Sequence, residues 1–280
     1  MLRTVLATTF LTTAVAVALV AAGSAQSRNR DSGRDSTRTG NSSCKGSDSD
    51  SDNRASHCEM REDTIGGANP IEVDAGPNGG IRIHGWDRGD VLVRSKIHGS
   101  AKTDADARRI VSSVHVETSG AHIHAVGPSS NRDEHWSVSF EISLPRTAML
   151  TMQTVNGGIT IDDFRGSAKF HTTNGGLVLN NVGGDLRGET TNGGVTVDVS
   201  GDHWDGTGLD VETRNGGIRL NLPKGFSAQL EAGTTHGRVS IDFPITVQGQ
   251  IGRHLETTLG SGGPKLRAVT TNGGVTIRQR

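Results

Sequence analysis

The amino-acid sequence predicts an all-β chain wound as a single-stranded β-solenoid, or β-helix, and three observations carry that expectation. The phrase Thr172-Thr173-Asn174-Gly175-Gly176-Leu177-Val178-Leu179 starts again 18 residues later at Thr190 and 18 residues earlier at Thr154. The residues on either side of each Asn-Gly-Gly alternate apolar and polar, the period of a strand with one buried face. The composition, with 39 Gly, no Tyr and 3% aromatic residues in 280, describes a core-poor chain. Stacked rungs suit such a chain, because no unit need bury its apolar face alone. A β-barrel or a sandwich of hairpins is the alternative, since Asn-Gly also closes two-residue hairpins.

Residues 1–25 carry Arg3, an apolar run from Val5 to Val20, and the small residues Gly23 and Ala25, the pattern of a secretory signal cleaved near Ala25. The protein is therefore expected to be exported, to a periplasm, an outer surface or the medium, with no membrane span after cleavage. Residues 26–61 are Ser, Asp, Arg, Asn and Gly with almost no apolar side chain, so they are expected to stay a disordered tail. Both cysteines, Cys44 and Cys58, fall in it. In an exported protein such a pair is expected to form a disulfide, worth about 3 kcal/mol where the closed loop has a folded state to favour. A redox motif would set the cysteines two apart, and a metal site would need His57 and a fourth ligand.

Residues 62–146 form an N-terminal β region. Short alternating runs occur at Ile71 to Val73, Ile81 to Ile83, Val91 to Val93, Val114 to Glu117 and His122 to Val126. A longer run from Trp136 to Leu144 is closed by Pro145, which lacks a ladder donor. Asn78-Gly79-Gly80 already carries the repeat signature. The stretch 103–113 is the one helical segment, with Thr103 or Asp104 as N-cap and acids in its first turn, and a cap or crossover role is expected for it.

Residues 147–280 form the regular array. Counting from each Asn (156, 174, 192, 215 and 272), the residues six before are Leu150, Ala168, Leu186, Leu209 and Leu266, and three after are Ile159, Leu177, Val195, Ile218 and Val275. These become columns in a core when rungs stack. The corners are expected at Asn156-Gly157-Gly158, Asn174-Gly175-Gly176, Asn192-Gly193-Gly194, Asn215-Gly216-Gly217 and Asn272-Gly273-Gly274. The expected reason is that Asn tolerates the left-handed region and Gly takes positive φ without steric cost. A degenerate rung stands at His236-Gly237-Arg238, and a further rung with a weak turn is expected near Ser261, Gly262 and Gly263. The chain stops directly after its last strand, at Arg278, Gln279 and Arg280, so an open edge defended by charge is expected there, the place where copies would associate.

Several clusters bear on chemistry. His122 and His124 share a strand face, with His98 and His115 near in sequence, and could be imagined as metal ligands; solvated strand histidines are the simpler reading, and no metal or other cofactor is expected. Asp202, His203, Trp204 and Asp205 interrupt the 18-residue period and form the best candidate ligand loop. Asp162, Asp163, Asp198 and Asp242 could supply the paired carboxylates of a carbohydrate-cleaving β-helix, but Asn180 and Asn221 fill the same repeat position, which a turn ladder explains equally well. There is no Gly-x-Ser-x-Gly elbow, phosphate loop or calcium nonapeptide. A net charge of -1 argues against nucleic acid as a partner.

With these residues in view, the chain resembles a bacterial family of β-strand-repeat proteins, the "putative adhesin" family catalogued as domain of unknown function 4097. The likeness rests on Cys58 to Glu62, Ile81 to Asp87, the Asp104 to Ala107 helix start and the Asn-Gly-Gly array, and covers residues 62–280. It implies a secreted or envelope-associated β-solenoid with no known cofactor or catalytic residue. The expected function is a non-enzymatic, adhesin-like scaffold at the cell surface or envelope, with a surface glycan or an envelope protein as partner. The alternatives are a carbohydrate-active enzyme on the same β-helix and an envelope-stress interaction module.

Overall fold

The computed structural model describes residue 44 and residues 54–67, 69–244 and 252–280. The expected signal segment and most of the expected tail lie outside these residues. The described chain is all-β with one α-helix. Its N-terminal part comprises β1 (Ala55–Ile65), β2 (Ile71–Asp74), β3 (Ile81–Trp86), β4 (Val91–Ala101), α1 (Asp104–Ser113), β5 (His115–Glu117), β6 (His122–Val126) and β7 (His135–Pro145). The repeats follow as β8 (Met149–Asn156), β9 (Ile159–Asp162), β10 (Ser167–Asn174), β11 (Leu177–Asn180), β12 (Asp185–Asn192), β13 (Val195–Asp198), β14 (Gly208–Asn215) and β15 (Ile218–Leu222). The C-terminal part holds β16 (Ala228–His236), β17 (Val239–Ile241), β18 (His254–Leu259), β19 (Lys265–Asn272) and β20 (Val275–Gln279).

Each repeat places one strand in each of two sheets. The first sheet runs β1-β4-β7-β3-β9-β11-β13-β15-β20-β17, and the second β18-β16-β19-β14-β12-β10-β8-β2-β6-β5. Both are mixed: β1, β4 and β7 pair antiparallel, as do β16 with β18 and β5 with β6, while the repeat strands are parallel. Neither order closes on itself, so the barrel alternative does not apply. The parallel register is that of the sequence columns. Leu150, Ala168, Leu186, Leu209 and Leu266 are successive partners in one sheet, and Ile159, Leu177, Val195, Ile218 and Val275 in the other. All ten are buried in one core to which both sheets contribute.

Helix α1 forms where the acids of its first turn and its apolar spacing predict. Thr103 accepts a hydrogen bond from the amide of Asp106 at 3.1 Å, and Ala107, Ile110 and Val111 are buried. Arg61 reaches across from β1 and donates to the carbonyl of Val111 at 3.1 Å and to that of Val114 at 2.5 Å, satisfying the helix end that lacks basic residues of its own.

Three expectations are corrected. Residues 55–61 are not tail but the first seven of the 11 residues of β1, held edge to edge against β4 from Ala55 to Ile65. No rung forms near Ser261: β18 folds back antiparallel on β16, and residues 260–263 are the turn into β19. The chain's end is not the open edge. The last rung, β19 and β20, inserts between the rung of β14 and β15 and the degenerate rung of β16 and β17, so β20 is paired on both sides. Ordinary stacking by sequence order would have left the weaker His236 corner inside the stack and the full Asn272 corner outside it. Insertion reverses that, so six full corners stack without interruption.

Candidate functional site

The motif that recurs most is the first candidate, and its side chains are occupied by the neighbouring rungs. Asn156 donates to the side-chain oxygen of Asn78 at 3.0 Å, Asn174 to Asn156 at 2.8 Å, Asn192 to Asn174 at 2.7 Å, Asn215 to Asn192 at 2.8 Å and Asn272 to Asn215 at 2.8 Å. From Asn156 onward the threonine two before each Asn is buried and donates to the carbonyl of the first glycine one rung away, as Thr190 does to Gly175 at 2.8 Å. Thr154, Thr172, Thr213, Thr270 and Thr234 repeat the contact. A hydroxyl in the core is thereby satisfied, which lets the column tolerate it.

The reason for the first glycine differs from the one expected. Gly157, Gly175, Gly193 and Gly216 do not have positive φ; Gly273, at 150°, is the exception among the motif glycines. The constraint is rung-to-rung approach: a Cβ on Gly193 would lie 2.0 Å from the carbonyl oxygen of Gly175, and one on Gly175 equally near that of Gly157. The second glycine is freer, since a Cβ on Gly194 would meet the Gly217 carbonyl at 3.4 Å. The degenerate rung obeys the same rule, keeping Gly237 and replacing the second glycine by Arg238. Left-handed backbone occurs instead after the strands of the first sheet, at Asp163 (φ 57°) and Asn181 (φ 51°). Asn181 donates to the Asp163 carboxylate there, and Arg146 donates to the Asp163 carbonyl at 3.1 Å. Sequence reading missed this second corner because Asp163 and Asn181 differ; their shared tolerance of the left-handed region was the available signal.

The expected ligand loop divides. Trp204 is 1% exposed and donates its indole N–H to the carbonyl of Gly184 at 2.9 Å, so it is a core residue. The indole thus joins the same core as Phe164 and Val182 of earlier rungs. Asp202, His203 and Asp205 are exposed. His203 donates to Asp202 at 2.5 Å, and this hydrogen bond holds the Asp202 carboxyl below its usual range.

The carboxylates proposed for catalysis form a ladder. Asn180 donates to Asp162 at 2.7 Å and Asn221 to Asp198 at 3.0 Å, and Arg82 pairs with Asp162 at 3.0 Å. In register the order is Asp162, Asn180, Asp198, Asn221, so an amide separates the two acids. The histidines are not one cluster either. His122 and His124 stack with ring centres 4.5 Å apart in the second sheet, near Glu72 at 3.8 Å and Glu117 at 3.3 Å respectively, whereas His98 is in the first sheet. Among the described residues no group of three or more His, Cys, Asp or Glu is placed to hold a metal ion. Cys44 and Cys58 are joined by a disulfide.

Residues 89–278 match the family described as Toastrack DUF4097. The chain belongs to this family. No curated protein matches this Toastrack chain. Among solved structures it is similar to a "putative cell adhesion protein" of Clostridium sporogenes, with 12% identity and a TM-score of 0.42 over 80% of this chain and 100% of that one. It is also similar to a "putative adhesin" of Bacteroides fragilis, with 12% identity and a TM-score of 0.36 over 79% and 97%. A third, a "putative lipid binding protein" of Parabacteroides distasonis, is 10% identical with a TM-score of 0.31 over 78% and 96%. At these values the likenesses carry no argument about what this Toastrack chain binds.

Proposed function

We propose that the protein is a non-enzymatic, exported binding scaffold whose repeats wind as a single-chain β-solenoid, with Asn-Gly-Gly at one corner of each rung. Its partner is a glycan or protein of the cell surface or envelope. The observation that carries this reading is the state of the side chains a catalytic reading would need. Asp162 is committed to Arg82 and Asn180, and Asp198 to Asn221 and Arg280. A carbohydrate-cleaving pair needs one carboxyl free to hold a proton and a second facing it. Export is supported by the Cys44–Cys58 disulfide, a bond that persists in oxidising compartments. Binding would use the outward faces of the two sheets, as repeat proteins do.

The test is a screen of the exported chain against envelope glycans and envelope protein extract, run beside a turnover assay on the same polysaccharides. Saturable binding without turnover is expected. Hydrolysis that disappears in Asp162→Asn or Asp198→Asn would overturn the proposal.

A further inference from the structure

Most arginines in or beside the sheet strands are matched with acids, as Arg82 is with Asp162, Arg94 with Glu62, Arg165 with Asp205, Arg187 with Asp185 and Arg267 with Asp210, although Arg214 on β14 is exposed and unpaired. The C-terminal end of the first sheet breaks that habit. Among the described residues, Arg219 on β15, Arg278 on β20 and Arg238 immediately before β17 make no ion pair and no side-chain hydrogen bond, and all three are exposed. The late insertion of β20 is what brings them together. Arg219 is the register partner of Thr276, Thr276 is that of Ser240, and the amide of Val275 bonds the carbonyl of Arg238 at 3.0 Å. Arg278 stands two residues along β20 from Thr276, on the same outward face.

The result is a patch with Thr276 and Ser240 between three guanidinium groups. Arg219 and Arg238 are two strands apart and two residues offset, about 12 Å between backbones, and Arg278 lies about 7 Å along the strand from Thr276. Strand alternation points all five side chains away from the core: Ile218, Leu220, Val275, Ile277 and Val239 are the buried neighbours. The row that contains Arg238 is otherwise glycine at Gly274 and Gly217, so no side chain there stands between a ligand and the guanidinium. Two acids face the same region. Asp198 is held by Arg280 at 3.2 Å and by Asn221, and Asp242, exposed, follows β17. Four arginines against two aspartates leave the patch positive on a chain whose formal net charge is -1.

The geometry points to a binding site for a polyanionic glycan, a polysaccharide bearing carboxylates or sulfates, laid across β15, β20 and β17. This rests on the proposed binding function and names its ligand class. Guanidinium forks match planar oxyanions in pairs, and the interleaved hydroxyls suit sugar hydroxyls. Nucleic acid fits less well, because no aromatic side chain stands on the patch to stack a base. A lipid surface fits less well because the exposed large apolar residues Val126, Met149 and Val155 belong to the other sheet, and Val178, two strands from Arg219 in the same row, is a single valine.

The test uses the full exported chain and four immobilised probes: polygalacturonate, heparin, neutral dextran and single-stranded DNA. The wild type is expected to bind at least one of the two anionic glycans, with affinity that falls as salt rises. Arg219→Gln/Arg238→Gln/Arg278→Gln should weaken that binding about 30-fold, which is about 0.7 kcal/mol for each of the three lost contacts. A control with the same charge change elsewhere, Arg132→Gln/Lys224→Gln/Arg253→Gln, should stay within threefold, and both variants should keep the wild-type melting temperature. Unchanged binding in the first variant overturns the site and leaves the scaffold reading intact, as does wild-type binding confined to dextran. DNA bound as tightly as the glycans overturns the glycan assignment. A wild type that binds neither these probes nor any envelope fraction overturns both readings.

Discussion

Replacing Gly193 by alanine adds one methyl group where the rungs touch, and its cost can be worked from the contacts it disturbs. The new Cβ would sit 2.0 Å from the Gly175 carbonyl oxygen, so the rungs must part by more than an ångström to restore ordinary contact. That oxygen also accepts the Thr190 hydroxyl at 2.8 Å. Beside it, the Gly175 amide bonds the Asn192 carbonyl at 3.1 Å, and the Asn192 side chain bonds Asn174 at 2.7 Å. Losing three hydrogen bonds at about 1 kcal/mol each sets a destabilisation of about 3 kcal/mol before any core strain is added. Gly194→Ala is the control. Its Cβ would meet the nearest carbonyl at 3.4 Å, an ordinary contact, so its effect should stay within about 1 kcal/mol of zero. Reversible urea unfolding of the two variants, with slopes compared to confirm a common transition, measures the difference directly. Equal midpoints for the two would refute rung contact as the reason for the first glycine.

Other outcomes follow from the same contacts. Trp204→Ala should cost about 3 to 5 kcal/mol by emptying a core position, the Gly184 carbonyl keeping its bonds from the Thr207 and Gly208 amides, whereas His203→Ala beside it should change stability by less than about 0.5 kcal/mol; thermal unfolding separates them. The ring of Phe170 lies where a Cβ on Gly188 would be, at 2.1 Å, so Gly188→Ala should be destabilising alone and partly rescued by Phe170→Leu, with a coupling of about 1 kcal/mol in a double-mutant cycle. The Glu231 carboxyl is held below its ordinary value of 4.5 by its hydrogen bond to Lys265, against an opposing cost of burial. A carboxyl lowered on folding stabilises the protein above the unfolded value and loses that contribution as pH falls through the folded one. The stability gap between wild type and Glu231→Gln should therefore be full near neutral pH and close below pH 4.5. Each Asn-Gly step has its glycine amide bonded to the next rung, as Gly157 is to Asn174 at 3.1 Å, so that nitrogen is unavailable to attack the Asn side chain. Mass spectrometry of aged samples should find these asparagines intact in the folded protein and deamidated in urea.

The columns were legible because strand alternation and rung period are both written in residue spacing. Leu186 above Ala168 and Val195 above Leu177 are register pairs that the numbering alone implies. The order of the last rungs was not, because residue spacing does not say which rungs become neighbours, and β20 pairs between β15 and β17 out of chain order. Trp204 misled for a related reason. Insertions usually bulge into solvent, and nothing local marks an indole that turns inward to the core. The patch at Arg219, Arg238 and Arg278 could not be found from spacing, since the three are brought together by that same out-of-order pairing.

The claim that the repeated motif is architecture and not a recognition loop is tested most directly by native-state amide hydrogen exchange at Gly157, Gly175, Gly193 and Gly216. Each amide bonds an asparagine carbonyl of the next rung at 3.0 to 3.1 Å. The account predicts that all four exchange as slowly as the core amides of Ile159, Leu177, Val195 and Ile218, and only through global unfolding. Exchange at the rate of an open surface loop, with those core amides still protected, would contradict it.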